Sequence, residues 1–253
     1  MNDDISISLI IPCYNEEINI QKGVLDKIGN HTGSNSRFKE VIIVDDGSTD
    51  ETKNLIQKEY LPRYPKFRLI ENDHKGKAQT LITGIKESLS TAVMFTDIDL
   101  ATPLEEDTKL LKALDEGYQV VIGSRNTERK GAPFLRKLMA VGFIYIRNFM
   151  IGLSNIKDTQ CGFKAFRRDA ANHILSKLRV FNKEHGNIQG SSVKAGFDLE
   201  FLFLANKLGY KIKEVPVTWK HVETKNVNFI KDSVETIRDI LAIKYYDLAK
   251  KYN

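Results

Sequence analysis

Three short apolar runs, each followed by acidic residues, constrain the fold of this chain most. The runs 5–11, 41–44 and 92–96 end at polar segments, which is typical of buried β-strands. Segments with helical spacing follow, and alternating strands and helices predict an α/β fold, a mostly parallel sheet flanked by helices. Ligands of such sheets bind at the carboxyl ends of the strands, so the residues after each run are the first candidates for a site.

The other elements are predicted from the same patterns, within one domain that spans 1–253. No linker, repeat or low-complexity segment interrupts the sequence. Further strands are expected at 67–70, 120–123, 162–166 and 211–219, and helices at about 16–28, 51–60, 76–89, 103–115, 134–153, 198–208 and 229–252. The last of these is a charged amphipathic helix. Trp219 is expected in the core as part of a strand, with a platform for a sugar ring as the alternative, and 182–196 is expected to be a loop.

The composition limits the classes of partner and compartment. The net charge of +5 and the pI near 9.0 suit an anionic substrate or an acidic membrane face, and no nucleic-acid motif is present. Cys13 and Cys161 lack metal-ligand spacing and are expected to be free thiols. Without a signal peptide or an apolar stretch of about 18 residues, the sequence predicts a cytoplasmic chain that does not cross a bilayer.

The most informative polar residues are Asp97 and Asp99, directly after the run 92–96. Two carboxylates this close disfavour each other's charge unless a cation accompanies them. Mg²⁺ or Mn²⁺ takes oxygen ligands of this kind and completes its shell with phosphate oxygens and water. The pair therefore indicates a metal–diphosphate site, and a solvated loop is the alternative.

Acidic residues also follow the other two runs, as Asn15-Glu16 and Asp45-Asp46. Taken singly, the first could be a helix cap and the second a turn. Since the ends of parallel strands meet at one edge, we expect all these acids to share a pocket. There some carboxylates would hold the metal, and others would accept hydrogen bonds from a base or a ribose.

Several motifs together carry a resemblance to a known family. They are IIPCYNE at 10–16, VDDGSTD at 44–50, the Asp97/Asp99 pair, GSR at 123–125, RK at 136–137, DTQCGFK at 158–164, FDLE at 197–200 and VPVTW at 215–219. The chain resembles the family-2 glycosyltransferases of GT-A fold from about 5 to 241. The later motifs are similar to those of the polyprenyl- and dolichyl-phosphate glycosyltransferases, in particular the β-glucosyltransferases.

The resemblance implies inverting transfer of a hexose, glucose from UDP-glucose, to a polyprenyl or dolichyl phosphate. It divides the chain into a nucleotide-sugar half, 1–125, an acceptor half, 126–228, and a C-terminal helix, 229–253. It assigns metal binding (Mg²⁺ or Mn²⁺) to Asp97 and Asp99. The implied nucleotide-sugar ligands are Pro12, Tyr14, Glu16, Asp45, Asp46, Lys77 and Asp97. The implied catalytic residues are Asp99, Asp198, Arg125 and Arg136.

Two positions depart from the family pattern. Ala78 stands where a glycine usually follows Gly76-Lys77 near the nucleotide. Ala101 stands where the mannosyl branch often has a glutamine, which weakens a mannosyl assignment and leaves one fewer protein ligand for the metal.

The acceptor distinguishes the subfamilies. A lipid monophosphate has a second pKa of about 6, so it is largely ionised and needs cations rather than a base. Arg125 and Arg136 suit it, since guanidinium binds phosphate bidentately, and Lys225 and His221 are weaker candidates. Asp198 falls where related enzymes carry a catalytic aspartate. A soluble sugar or polysaccharide acceptor is the alternative function, and a catalytically silent nucleotide-sugar-binding protein is a third.

A lipid acceptor would bring the chain to the cytoplasmic face of a membrane as a peripheral protein. The apolar segment 134–153 could lie in the interface, and a core helix packed on the sheet is the alternative. A homodimer or a membrane-protein partner is left open. A UDP-sugar donor is favoured over a GDP-sugar.

Overall fold

A computed structural model describes residues 5–125, 134–181, 196–220 and 229–252 of the chain. Its seven strands form one sheet in the order β3-β2-β1-β4-β6-β5-β7. The strands are β1 Ile7–Cys13, β2 Phe38–Asp45, β3 Phe67–Glu71, β4 Ala92–Phe95, β5 Val120–Arg125, β6 Lys164–Arg167 and β7 Ile212–Val217. The helices are α1 Glu17–Gln21, α2 Val24–Ser34, α3 Thr52–Leu55, α4 Leu61–Arg63, α5 Lys77–Lys86, α6 Asp107–Asp115, α7 Phe134–Ile151, α8 Arg168–Lys177, α9 Gly196–Lys207 and α10 Phe229–Leu248. A π-helical turn, Ile56–Tyr60, joins α3 to α4.

The sheet is mostly parallel, which confirms the predicted fold class. β1 pairs in parallel with β2 on one side and with β4 on the other, so the chain order reverses beside β1. A crevice opens where the order reverses, outside the carboxyl ends of the two strands, and ligands of such sheets bind there. β6 is the exception, because it lies antiparallel between β4 and β5.

Alternation along the buried strands builds a core on each face of the sheet. In β1, Ile10 packs on the face covered by α5, α8, α9 and α10, whereas Leu9 and Ile11 pack on the face covered by α2 and α6. Successive strand residues point to opposite faces, so an uninterrupted apolar run fits a strand buried on both sides. Close packing reaches the backbone at Gly84, where a Cβ would overlap the Ile10 side chain.

Several element boundaries differ from the sequence prediction. The helix expected at 16–28 is two helices, because Gly23 takes a φ of +74° between α1 and α2. The strand expected at 211–219 ends at Val217, and α8 was not predicted. Nearly all of the loop expected at 182–196 lies outside the described residues. The division into a nucleotide-sugar half and an acceptor half stays a prediction.

Cys13 and Cys161 are free thiols, as expected, and both are buried. Within the described ranges, every helix is too short or too polar to pass through a bilayer.

Candidate active site

Asp97 and Asp99 lie in a tight turn directly after β4, beside the end of β1. The Leu100 N–H donates to the Asp97 carbonyl at 3.1 Å, and Leu100 itself has a φ of +50°. The Ala101 N–H donates to Asp99 Oδ1 at 3.0 Å. Burial raises the pKa of the Asp99 carboxyl, and the negative charge of Asp97 raises it further. The hydrogen bond from Ala101 lowers this pKa, but the net shift is upward. A buried acid beside a second acid is a place where a cation would be favoured.

Lys77 is the positively charged residue that pairs with Asp97. It is the first residue of α5, after Gly76, whose φ of +88° turns the chain into the helix. Its ammonium forms an ion pair with Asp97 Oδ1. Burial opposes the charge of Lys77, but Asp97, and then Asp198 and Asp99, raise the net pKa above its usual value. The three acids thus act on one lysine, so the structure brings four predicted site residues together.

Gly162 makes the position of the Asp97 carboxylate possible. A Cβ at Gly162 would fall far inside van der Waals contact with the Asp97 Oδ2 and Cγ atoms. Gly162 lies just before β6, the antiparallel strand next to β4. The Asp97 carboxylate therefore packs against the backbone of residue 162, where any side chain would collide with it.

Asp46 lies directly after β2 and holds the turn that precedes α5. Its carboxylate accepts hydrogen bonds from the backbone N–H groups of Lys75 at 3.0 Å and Gly76 at 2.8 Å, and it contacts His74 Nδ1 at 2.8 Å. The His74 ring stacks on Tyr14, with 4.0 Å between centroids. Asp46 therefore fixes the approach to Lys77, and Tyr14 and His74 form an aromatic pair after β1.

The other predicted nucleotide ligands also lie at the carboxyl ends of β1 and β2. Asp45 accepts hydrogen bonds from the Ser48 N–H at 3.1 Å and from its hydroxyl, which closes the turn after β2. Pro12 is buried within β1, and Glu16 accepts from Asn19 Nδ2 at 2.6 Å. Their nucleotide-binding roles stay predictions.

Arg125, the last residue of β5, is oriented by Asp158. The Arg125 Nε and Nη2 groups donate to the two Asp158 oxygens at 2.7 and 2.9 Å. Burial acts against the ionised form of Asp158, but the guanidinium keeps the pKa of that carboxyl below its usual range. Glu214 accepts from the Asp158 N–H at 2.7 Å and so fixes the loop that carries Asp158. Two Arg125 donors on Nη1 are not used by this pair.

Trp219 corrects the sequence prediction of a core residue. It follows β7 rather than belonging to it, and 41% of its surface is exposed. The Arg125 guanidinium lies over the indole, 5.8 Å from the ring centroid. Both side chains line a pocket that begins at Asp97, together with Thr96, Ala101, Thr102, Gln160 and Gly162.

Asp198, in the first turn of α9, is held by a buried lysine. Lys164 is 1% exposed and donates to Asp198 Oδ1 at 2.8 Å and to the Cys161 carbonyl at 2.6 Å. A buried ammonium needs such partners, so the pair fixes the position of the Asp198 carboxylate. Glu200, two residues later, is fully buried and faces away into a separate hydrogen-bond network.

Some predicted site residues lie outside the described part of the chain. These are the side chain of Arg136 in α7, and His221 and Lys225. Among the described residues, no three Asp, Glu, His or Cys side chains converge enough to enclose a metal ion. Two carboxylates nonetheless fit Mg²⁺ or Mn²⁺ that shares its shell with diphosphate and water.

Comparisons with known proteins agree with this geometry. A family model described as glycosyl transferase family 2 matches residues 8–175. The chain belongs to this family. The dolichyl-phosphate beta-glucosyltransferase of Dictyostelium discoideum is 30% identical over 96% of this chain and 75% of its own length. The human protein of the same name is 29% identical over 94% of this chain and 74% of its own length.

Solved structures support the fold. Glucosyl-3-phosphoglycerate synthase from Mycobacterium tuberculosis, in complex with Mn²⁺, UDP and phosphoglyceric acid, matches with a TM-score of 0.64 and 20% identity over 95% of this chain and 78% of that one. Mannosyl-3-phosphoglycerate synthase from Rubrobacter xylanophilus matches with a TM-score of 0.66 and 13% identity over 96% of this chain and 75% of that one. The predicted family, the GT-A fold and the assignment as a glycosyltransferase are thus confirmed.

Sequence reasoning missed the residues that support the site. Gly162 and Lys164 both belong to the DTQCGFK motif, and the resemblance to the family implies no role for either residue. His74 and Glu214 gave no sequence signal, since their partners, Asp46 and the loop at 157–158, are distant in the chain.

Proposed function

We propose that this glycosyltransferase moves glucose from UDP-glucose to the phosphate of a polyprenyl lipid such as dolichyl phosphate, with inversion. The observation that carries the proposal is the arrangement of charge around one pocket. Asp97, the first residue of the acidic pair, and Arg125 both line this pocket, and Asp99 lies two residues after Asp97 in the same turn. A diphosphate leaving group needs a metal ion, which the carboxylates can hold, and an anionic acceptor needs a fixed positive charge, which the guanidinium supplies. The similar dolichyl-phosphate beta-glucosyltransferases have such an acceptor in their name.

On the donor side, the chain contributes carboxylates and a lysine. Asp97 and Asp99 would hold a divalent cation, which when bound neutralises charge on the departing diphosphate. Lys77 is placed to add its own positive charge at the same position. The Tyr14–His74 pair and Asp45 lie farther along the strand ends, where the nucleoside would bind.

On the acceptor side, the chain contributes a fixed cation. A phosphate monoester is already largely ionised at neutral pH, so its oxygen attacks without a general base. The ion pair with Asp158 holds Arg125 in place without using its Nη1 donors, so the guanidinium can bind the acceptor phosphate and offset the repulsion between acceptor and donor. Asp198, fixed by Lys164, would orient the reacting groups. Arg136 stays a predicted second phosphate ligand.

Exposed apolar side chains support action at a membrane surface. On α10 they recur every three or four residues and so form one stripe: Val234, Ile237, Leu241, Tyr245 and Leu248. On α7, which packs against α10, Tyr145 and Phe149 are also exposed. A helical surface of this kind can lie in the headgroup region of a bilayer without crossing it.

The test is a transfer assay with UDP-glucose, Mn²⁺ and dolichyl phosphate in detergent micelles. We expect a lipid-linked product whose formation is abolished by EDTA and by Asp99→Asn. Glu105→Gln, which removes an exposed carboxylate from the segment after the acidic turn, is the control and should leave the rate unchanged. Transfer to a soluble sugar at a rate that lipid phosphate does not increase would instead establish the alternative acceptor.

A further inference from the structure

Trp219 is the single tryptophan of the chain, and it lines the pocket of the candidate site. Arg125 lies over its ring, yet a large part of the side chain stays exposed. A large aromatic side chain usually gains most by burial, so a partly exposed indole at a pocket wall has surface available for a ligand.

The segment that carries Trp219 is fixed to the loop of the acidic pair. The Lys220 N–H donates to the Ala101 carbonyl at 2.7 Å, one residue after the indole and two residues after Asp99. On the other side of the tryptophan, Thr218 hydrogen-bonds to Glu106. The indole is therefore held at a set distance from the carboxylates that the proposed donor would contact.

The pocket that Trp219 and Asp97 line has polar residues of the kind that bind a sugar. Residues that carry hydroxyl, amide, carboxylate and guanidinium groups line it, namely Thr96, Thr102, Gln160, Asp97 and Arg125. Sugar hydroxyls pair with such groups, whereas the C–H face of a pyranose ring packs on an aromatic ring. Polar groups that surround one aromatic wall are typical of sites that fix the orientation of a small ligand.

The position of the pocket identifies the part of the substrate. In an inverting displacement the transferred group lies between the leaving diphosphate and the attacking phosphate. Asp97 and Arg125 both line the pocket, and they belong to the proposed sites for those two groups. Its occupant is therefore the hexosyl group itself.

We propose that Trp219 is a specificity-determining residue whose indole packs against the hexosyl group of the donor. This inference rests on the proposed function, since it takes the diphosphate to lie at Asp97 and Asp99. The indole would select donors whose ring presents an apolar face and would set the angle of the anomeric carbon toward Arg125. Glucose, with its equatorial hydroxyls, presents such a face, and the axial hydroxyl of galactose changes it.

The single tryptophan makes a direct test possible on the unmodified protein. Its emission is recorded while UDP-glucose or UDP is added with Mn²⁺, and the melting temperature is followed in parallel. We expect both ligands to raise the melting temperature, and UDP-glucose to change the emission clearly more than UDP does. Equal emission changes at saturation would overturn the inference while leaving the proposed function intact. Failure of both ligands to stabilise the protein would overturn the proposed function and the inference with it.

Variants provide the second measurement. Trp219→Leu should raise the KM for UDP-glucose by roughly three- to tenfold, the range expected for the loss of one aromatic contact, and should narrow the preference for UDP-glucose over UDP-galactose. Trp219→Phe should keep most of both properties, and the Kd for UDP should not change in either variant. An unchanged donor preference in Trp219→Leu, or an equal loss of UDP affinity, would show that the indole serves packing within the protein rather than donor binding.

Discussion

Replacing Glu200 with glutamine is expected to destabilise the fold strongly, although the two side chains have nearly the same shape. The Glu200 carboxylate is fully buried and accepts four hydrogen bonds. Its Oε1 accepts from the N–H groups of Arg179 at 2.7 Å and Val180 at 2.9 Å and from the Tyr252 hydroxyl at 2.7 Å. Its Oε2 accepts from the Phe181 N–H at 3.0 Å. Every partner is a donor, so a carboxylate is the group that satisfies all of them.

The magnitude follows from what an amide can accept. Glutamine keeps one acceptor oxygen and turns an NH₂ group toward a donor, which leaves at least one buried donor unpaired at a cost of about 1–3 kcal/mol. The remaining bonds lose their charge assistance, about 1 kcal/mol each at most, while the neutral side chain is less costly to bury. The sum is a loss of about 2–4 kcal/mol, a large fraction of a typical stability of about 5–15 kcal/mol.

The assay is urea denaturation followed by circular dichroism, with Tyr252→Phe as the matched control. The control removes one donor and leaves the carboxylate with three, so we expect it to lose only about 1–2 kcal/mol. A Glu200→Gln variant within about 0.5 kcal/mol of the unmodified protein would refute the reasoning. So would a Tyr252→Phe variant that is the less stable of the two.

Two further predictions concern the acidic turn and a distant ion pair. Gly162→Ala should displace the Asp97 carboxylate and lower transfer activity more than tenfold, because a Cβ at this position would collide with that carboxylate. The melting temperature should change by no more than a few degrees. Normal activity of the variant would contradict the close approach of Asp97 to Gly162. His31 contacts the buried Asp107 carboxylate at 2.7 Å, and this hydrogen bond raises the pKa of the imidazole above 6.5. The pair therefore stabilises the fold below that value and loses its effect as the pH rises through the folded-state pKa. The free energies of unfolding of His31→Gln and the unmodified protein, measured by urea titration, should converge toward high pH. A constant difference between them from pH 5 to 9 would contradict this prediction.

The sequence predicted the site most reliably where a motif lies directly after a strand. Asp97 and Asp99, Asp45 and Asp46, and Tyr14 were all placed at strand ends, and the structure has them there. Local patterns could do this because the period of apolar residues reports the element, and the end of a buried strand is where polar residues begin.

The hydrogen-bond partners of the buried acidic residues could not be predicted from the sequence. Asp46 fixes the turn before α5, Glu200 ties Tyr252, which follows α10, to residues 179–181, and Asp158 orients Arg125. In each case the partner is 19 or more residues away, so the pairing depends on how the elements pack.

The sequence by itself determined the alternation of strands and helices, the family and the set of candidate acids, because each of these is recorded in short stretches of chain. Only the tertiary structure decided that β6 runs antiparallel beside β4, which brings Gly162 against Asp97 and Lys164 against Asp198. It also decided that Trp219 faces a pocket rather than the core. These contacts join residues that are far apart in the chain, and their energy comes from packing and charge pairing that no local pattern contains.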